Sequence, residues 1–100
     1  MDYKREFDDY CNTDVGFRVY QFDCDNPNIY TLFKQCANKA KRAGHLRYSA
    51  NGIFEHMRWK LTVAKRGTFK MNNTYRSYYA RKLMAEDKRF EGFFEIRKGN

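Results

Sequence analysis

The stretch NNTYRSYYARKLM, residues 72–84, decides the fold because it contains a helix start and two faces of different chemistry. Asn72, Asn73 and Thr74 have short polar side chains that accept hydrogen bonds from the first N–H groups of a helix. No Gly or Pro interrupts the residues that follow within the stretch. The pattern therefore predicts a helix that begins here and ends near residues 87–89.

The two faces of this predicted helix differ. Tyr75, Tyr79 and Leu83 recur at i, i+4 and i+8, which predicts a stripe that packs inward. The residues of the opposite face are Thr74, Ser77, Tyr78 and Arg81. They are polar, aromatic and cationic, and such side chains contact phosphates or bases. The segment is therefore either a helix that recognises a partner through this face or an ordinary surface helix whose tyrosines are core.

Two further helices are predicted upstream. Asn26 followed by Pro27 gives a cap with proline at the first helical position, and Gly44 stands where a left-handed C-cap is expected. The apolar residues with helical spacing between them are Ile29, Leu32, Phe33, Cys36, Ala37 and Ala40. Ser49 caps the next helix. Its apolar stripe consists of Ala50, Ile53, Phe54, Met57 and Leu61.

The remaining segments give weaker signals. Residues 1–16 are acidic and aromatic, and we expect either a short amphipathic turn or mobile chain. Residues 17–23 alternate in part between apolar and polar, which admits a short strand. Residues 59–71 hold either the end of a helix followed by a basic loop, which we prefer, or a hairpin. Residues 90–97 predict a turn at Gly92 and a terminal strand or wing.

Charge is unevenly distributed along the chain. The 100 residues suffice for one domain with one modest core, and the formal net charge is +8. Residues 1–25 carry seven acids and three bases, a net charge of −4, so residues 26–100 carry +12. We therefore expect an acidic leader over residues 1–16 and a single basic helical domain over residues 17–100. A basic surface favours an anionic partner, most often nucleic acid, and the alternative is a merely solubilising surface.

The composition also argues against several classes of protein. No apolar run approaches the roughly 18 residues that span a membrane, and the acidic start lacks the layout of a signal peptide. The three cysteines, an odd number without a C-x-x-C spacing, fit reduced thiols in the cytoplasm. The spacing of Cys11, Cys24, Cys36, His45 and His56 matches no zinc motif and no catalytic dyad. We expect no metal, no cofactor and no enzymatic activity.

Four segments together resemble a known family. They are NPNIYTLF (residues 26–33), YSANGIFEHMRW (48–59), TFKMNNTYRSYYARKLM (68–84) and GFFEIR (92–97). Their order is similar to that in a family of small bacteriophage and prophage proteins without an assigned activity. The resemblance covers residues 26–97 and leaves the acidic leader outside. It implies a phage-encoded accessory or regulatory protein in the cytoplasm of a bacterial host, and it transfers no site residues.

The predicted fold is mainly α, a compact three-helix domain of helix-turn-helix or winged-helix type with a short C-terminal strand or wing. The connection over residues 61–72 is longer than the turn of the helix-turn-helix motif. We expect non-enzymatic binding of DNA or RNA through a basic helical face. The alternative is an inhibitor or adaptor that binds a host or defence protein. The predicted nucleic-acid-binding residues are Arg47, Lys65, Arg66, Asn73, Arg76, Ser77 and Arg81.

Overall fold

The computed structural model describes residues 2–63 and 73–94, with side chains over residues 2–57 and 74–94. The described residues form five α-helices and one short 3-10 helix. Their bounds are α1 Tyr3–Cys11, α2 Asp14–Asp25, α3 Pro27–Arg42, α4 Ala50–Val63, α5 Asn73–Glu86 and the 3-10 helix Lys88–Phe90. The prediction of a mainly α fold is confirmed.

The number of helices differs from the prediction. The three expected helices are present as α3, α4 and α5, but α1 and α2 precede them, so the three-helix arrangement is wrong. Residues 3–11 of the leader are helical, and the expected domain boundary at residue 16 falls inside α2. Residues 17–23, read as a possible strand, also lie inside α2. The buried residues there, Gly16, Val19 and Asp23, are spaced three and four apart, which is helical spacing.

The predicted C-terminal strand is not supported by the described residues. Gly92 has a φ of 73°, so the predicted turn is confirmed there, and Phe94 forms only an isolated parallel bridge with Tyr48. Within residues 2–63 and 73–94 no strand is formed. The rest of the predicted strand, residues 95–97, lies outside the described residues, as does the predicted basic loop before α5.

Helices α1 and α2 meet at a close turn that requires glycine. The Thr13 hydroxyl accepts a hydrogen bond from the Gly16 N–H at 3.0 Å and donates one to the Tyr10 carbonyl at 2.7 Å. A Cβ atom at Gly16 would lie 1.9 Å from that same carbonyl oxygen, which no side chain tolerates. Thr13 therefore caps α2, and Gly16 lets the end of α1 approach the start of α2.

The predicted helix ends of α3 and α4 are largely confirmed. Pro27 opens α3, and Gly44 follows its end with a φ of 96°, as a left-handed residue should. The Ser49 hydroxyl accepts a hydrogen bond from the Asn51 N–H at 3.1 Å, so Ser49 caps α4. Asn26 differs: its side-chain amide donates to the Phe22 carbonyl at 3.0 Å, so that side chain closes α2 rather than capping α3.

Helix α5 is the centre of the fold. It packs against α1, α2, α3, α4 and the 3-10 helix. Tyr79 and Leu83 are buried, as predicted, but Tyr78 is fully buried as well, so its predicted outward position is wrong. The cause is α1, whose Phe7 ring meets the Tyr78 ring edge to face at a centroid distance of 5.3 Å. Helix α1 thus covers a side of α5 that the sequence pattern predicted to be exposed.

Aromatic rings fill the core around Phe33. The centroid of this ring lies 5.4 Å from that of Phe54 on α4, 5.8 Å from that of Tyr79 on α5 and 5.4 Å from that of Phe94. Rings at such distances contribute beyond the area that they bury. The high aromatic content is therefore used largely inside, where four separate segments meet.

A carboxylate lies inside the fold. Asp23 of α2 is only 5% exposed, and both described groups that bind its carboxylate come from α5. The Tyr78 hydroxyl donates to it at 2.8 Å, and the Lys82 ammonium forms an ion pair with it. Lys82 also lies 4.1 Å from the centroid of the Tyr30 ring. A buried charge needs such partners, since an unpaired one would cost several kcal/mol.

We expect Tyr78→Phe to lower the free energy of unfolding by about 1.5–3 kcal/mol, because Asp23 would lose a donor inside the protein. Tyr79→Phe is the matched control on the neighbouring residue. Its hydroxyl is buried and has no hydrogen-bond partner among the described residues, so we expect that change to be neutral or stabilising. Urea denaturation of both variants measures the difference, and equal losses would contradict the assigned role of Tyr78.

The buried tyrosines also predict a loss of stability in alkali. Burial raises the pKa of Tyr30, Tyr78 and Tyr79 above the ordinary value of 10.0. A tyrosine whose pKa is higher in the folded chain than in the unfolded chain stabilises the fold. This stabilisation is complete below the pKa of the unfolded chain and is lost as the pH rises through the pKa of the folded chain. The free energy of unfolding should therefore fall above about pH 10. Urea denaturation at a series of alkaline pH values measures this fall, which should be shallower in Tyr79→Phe.

Candidate nucleic-acid interface

Arg81, predicted to act from the exposed face of α5, is covered by α1. Its guanidinium carbon lies 4.5 Å from the centroid of the Tyr10 ring, and its Nε lies 3.8 Å from a carboxylate oxygen of Glu6. Only 13% of the side chain is exposed. Arg81 therefore helps to hold α1 on α5, and the prediction that it faces solvent is wrong.

The other predicted residues of α5 lie on or beside the same covered side. Ser77 is half-buried, and the Tyr10 hydroxyl of α1 donates to the Thr74 carbonyl of α5 at 3.1 Å. Arg76 is half-buried. The side chain of Asn73 lies outside the described residues. In the described part of α5, the face that was predicted to recognise a partner thus packs in part against α1.

Arg47 is the predicted residue that the structure places at the surface. It lies in the loop after α3 and is exposed. Lys65 and Arg66 lie outside the described residues, so their part in binding stays a prediction.

Exposed cations gather around Arg47. Lys39 and Arg42 occupy the last turn of α3 at i and i+3, so their side chains lie on one side of the helix. Lys88 begins the 3-10 helix. All of these side chains are exposed. We call the four residues the cationic end: Lys39, Arg42, Arg47 and Lys88.

Contacts between distant segments bring the cationic end together. The Lys41 ammonium donates to the Arg89 carbonyl at 2.6 Å and lies 5.4 Å from the centroid of the Phe90 ring. This fixes the 3-10 helix beside the last turn of α3. The Tyr48 N–H donates to the Phe93 carbonyl at 2.9 Å, which fixes the loop that carries Arg47 to the turn after the 3-10 helix.

The cationic end differs from Arg81, Lys82 and Arg89 in having no ion-pair partner among the described residues. The described residues form ion pairs at Arg81, Lys82 and Arg89. The Arg89 pair with Asp87 is close, and this hydrogen bond lowers the pKa of the Asp87 carboxyl. Within the described part of the chain, no carboxylate pairs with Lys39, Arg42, Arg47 or Lys88. Their charges therefore remain available to an anion.

The sequence contained a signal for this site that the prediction used only in part. Residues 26–48 hold five bases, Lys34, Lys39, Lys41, Arg42 and Arg47, and no acid. The bases near the end of α3 also suit the negative end of the helix dipole, which offers a purely structural explanation. The sequence alone does not place Lys88 at this site, because tertiary contacts such as that between Lys41 and the Arg89 carbonyl bring it there.

Other kinds of site find no support among the described residues. No three side chains of the His, Cys, Asp and Glu types lie together as a metal site would need within residues 2–63 and 73–94. None of the helices over the same residues combines the length and the apolar character that crossing a bilayer demands. Cys11, Cys24 and Cys36 are free thiols. Burial raises the pKa of Cys11, which makes its thiol less reactive.

We expect Arg81→Ala to lower the free energy of unfolding by about 1–2 kcal/mol, because it removes the contact with Tyr10 and leaves Glu6 without its partner. Arg18→Ala is the matched control, since Arg18 is exposed on α2 and should change stability by no more than about 0.5 kcal/mol. Chemical denaturation of both variants tests this. An Arg81 variant as stable as the Arg18 variant would show that Arg81 does not hold α1.

Comparison of the chain with protein-family models, with curated proteins and with solved structures gave no match in any of the three. The resemblance to a phage and prophage family therefore stays a prediction from the sequence.

Proposed function

We propose that this chain is a non-enzymatic, phage-type accessory or regulatory protein that binds DNA or RNA through its cationic end. One observation carries the proposal: four exposed cations from three separate segments lie at one end, and none is paired with a described carboxylate. Phosphates are the anions that such a surface binds most readily, because each contact releases counterions.

The mode of binding differs from that of a helix-turn-helix protein. In that motif the recognition helix places its polar face in the major groove. Here α1 covers part of the polar face of α5, where Arg81 contacts Glu6 and Tyr10. The cationic end lies instead at the end of α3, in the loop after it and on the 3-10 helix. Arginine and lysine side chains from such positions contact the phosphate backbone rather than base edges, so the proposed binding depends weakly on sequence.

The proposal is tested by removing two charges from the cationic end. We expect Arg42→Gln combined with Arg47→Gln to weaken binding to all sequences similarly. On duplex DNA the log–log slope of affinity against salt should fall in magnitude by about 1.8, since each phosphate contact contributes about 0.9. Fluorescence anisotropy with single- and double-stranded DNA and RNA across a salt series measures both effects.

The matched control removes the same charge elsewhere. Lys4→Gln combined with Arg18→Gln changes two exposed bases on α1 and α2, so the net charge falls equally. This control should keep the affinity and slope of the unmodified protein. If both double variants lose binding equally, net charge rather than the cationic end is responsible, and the proposed site is wrong.

A second candidate function is an inhibitor or adaptor that binds a host or defence protein. Exposed carboxylates on and beside α1 and α2 favour it, because they give this part of the molecule a negative surface that could occupy a basic site on another protein. They are Asp2, Asp8, Asp9, Asp14 and Asp25. If the unmodified protein binds no nucleic acid at low salt, the first function fails and this second one is favoured.

A further inference from the structure

Helix α2 leaves two aromatic rings in solvent. Phe17 is 51% exposed and Tyr20 is 45% exposed, and their rings stack with a centroid distance of 6.3 Å and an interplanar angle of 23°. Cys24, one turn further along, is exposed on the same side. We call Phe17, Tyr20 and Cys24 the α2 row.

The α2 row lies in the negative part of the molecule. Asp14 and Asp25 are exposed near the two ends of the same helix. Residues 1–25 carry seven acids and three bases in all. A partner that fits this surface must therefore present an apolar group among positive charges.

The chain itself presents such a group. Leu46 is 91% exposed, in the loop after α3. Its neighbours His45 and Arg47 are exposed too, and Arg42 is exposed at the end of α3. An apolar tip with cations on either side is thus complementary to a pair of rings with carboxylates on either side.

The two surfaces do not cover each other within one molecule. Helix α3 has 16 residues, which corresponds to a length of about 24 Å. Asn26 links the end of α2 directly to the start of α3, whereas Leu46 follows the opposite end of α3. Leu46 is 91% exposed and Phe17 and Tyr20 are about half exposed, so both surfaces are available to another molecule.

We propose that the α2 row binds the Leu46 loop of a second copy of this chain. Leu46 of one copy packs against Phe17 and Tyr20 of the next, and Arg42 and Arg47 of the first approach Asp14 and Asp25 of the second. The pairing is head to tail: one copy uses its Leu46 loop and the next uses its α2 row, so a pair leaves one of each surface free. Such contacts extend into longer assemblies unless they close into a ring.

This pairing goes beyond the proposed nucleic-acid binding and does not depend on it. Arg42 and Arg47 serve both interactions, so a second copy and nucleic acid exclude each other at the cationic end. Self-association is measured without nucleic acid, so its failure would leave the proposed binding to nucleic acid intact, and the reverse also holds.

Sedimentation equilibrium of the full chain over a concentration series tests the pairing. The average mass of the unmodified protein should rise with concentration beyond that of a dimer. Phe17→Ser combined with Tyr20→Ser should lower the association constant by at least about tenfold, and so should Leu46→Ser. Val15→Ser is the matched control: Val15 is 47% exposed on another side of α2, and its replacement should leave association unchanged.

A mixture of the two interface variants gives the sharpest result. The α2-row variant keeps an intact Leu46 loop, and the Leu46 variant keeps an intact α2 row. Head-to-tail pairing therefore requires that each variant alone stays monomeric and that their mixture forms dimers but nothing larger. Circular dichroism checks that the variants keep their helix content. A variant that loses it is replaced by Asp14→Asn combined with Asp25→Asn for the α2 surface, or by Arg42→Gln combined with Arg47→Gln for the loop surface.

Four results would overturn the proposal. An unmodified protein that remains monomeric at every concentration would show that the chain does not pair with itself. A Leu46 variant that associates like the unmodified protein would mean that two α2 rows pair with each other. An α2-row variant that associates normally would exclude that helix from the contact. A mixture that stays monomeric would show that the two surfaces are not complementary.

Discussion

The buried carboxylate of Asp23 is the constraint on which the arrangement of the helices depends. A charge inside a protein must be paired and hydrogen-bonded, and here both partners, Tyr78 and Lys82, stand on α5. Their spacing of four residues places them one turn apart, so α2 can lie on α5 in only a narrow range of positions. The short link through Asn26 then determines where α3 begins.

Helix α1 completes the enclosure of α5 by a different means. It has no fully buried residue, and it is held by contacts at its edge: Phe7 against Tyr78, and Tyr10 against Arg81. Glu6 adds an ion pair to Arg81. Acidic and aromatic side chains on α1 thus meet cationic and aromatic side chains on α5, and a polar face is covered without leaving its charge unpaired.

The charges of the chain therefore have two different uses. Arg81 and Lys82 are paired inside with acids of α1 and α2, so part of the positive excess of the sequence does not reach the surface. The cationic end, by contrast, is exposed and has no carboxylate partner among the described residues. Exposed cations there and exposed carboxylates on α1 and α2 are the basis of both interactions proposed for the chain.

The sequence by itself determined the features that depend on neighbouring residues. Pro27, Gly44 and Ser49 mark the ends of α3 and α4, since caps and left-handed turns are local requirements of the backbone. The sequence also showed that residues 1–25 are acidic and that residues 26–100 are basic. Only the tertiary structure decided which face of α5 is covered, because the Tyr10 hydroxyl and the Thr74 carbonyl that it binds are 64 positions apart. Periodicity identifies an apolar stripe, but it classes an arginine as exposed even where an aromatic ring and a carboxylate from a distant helix cover it.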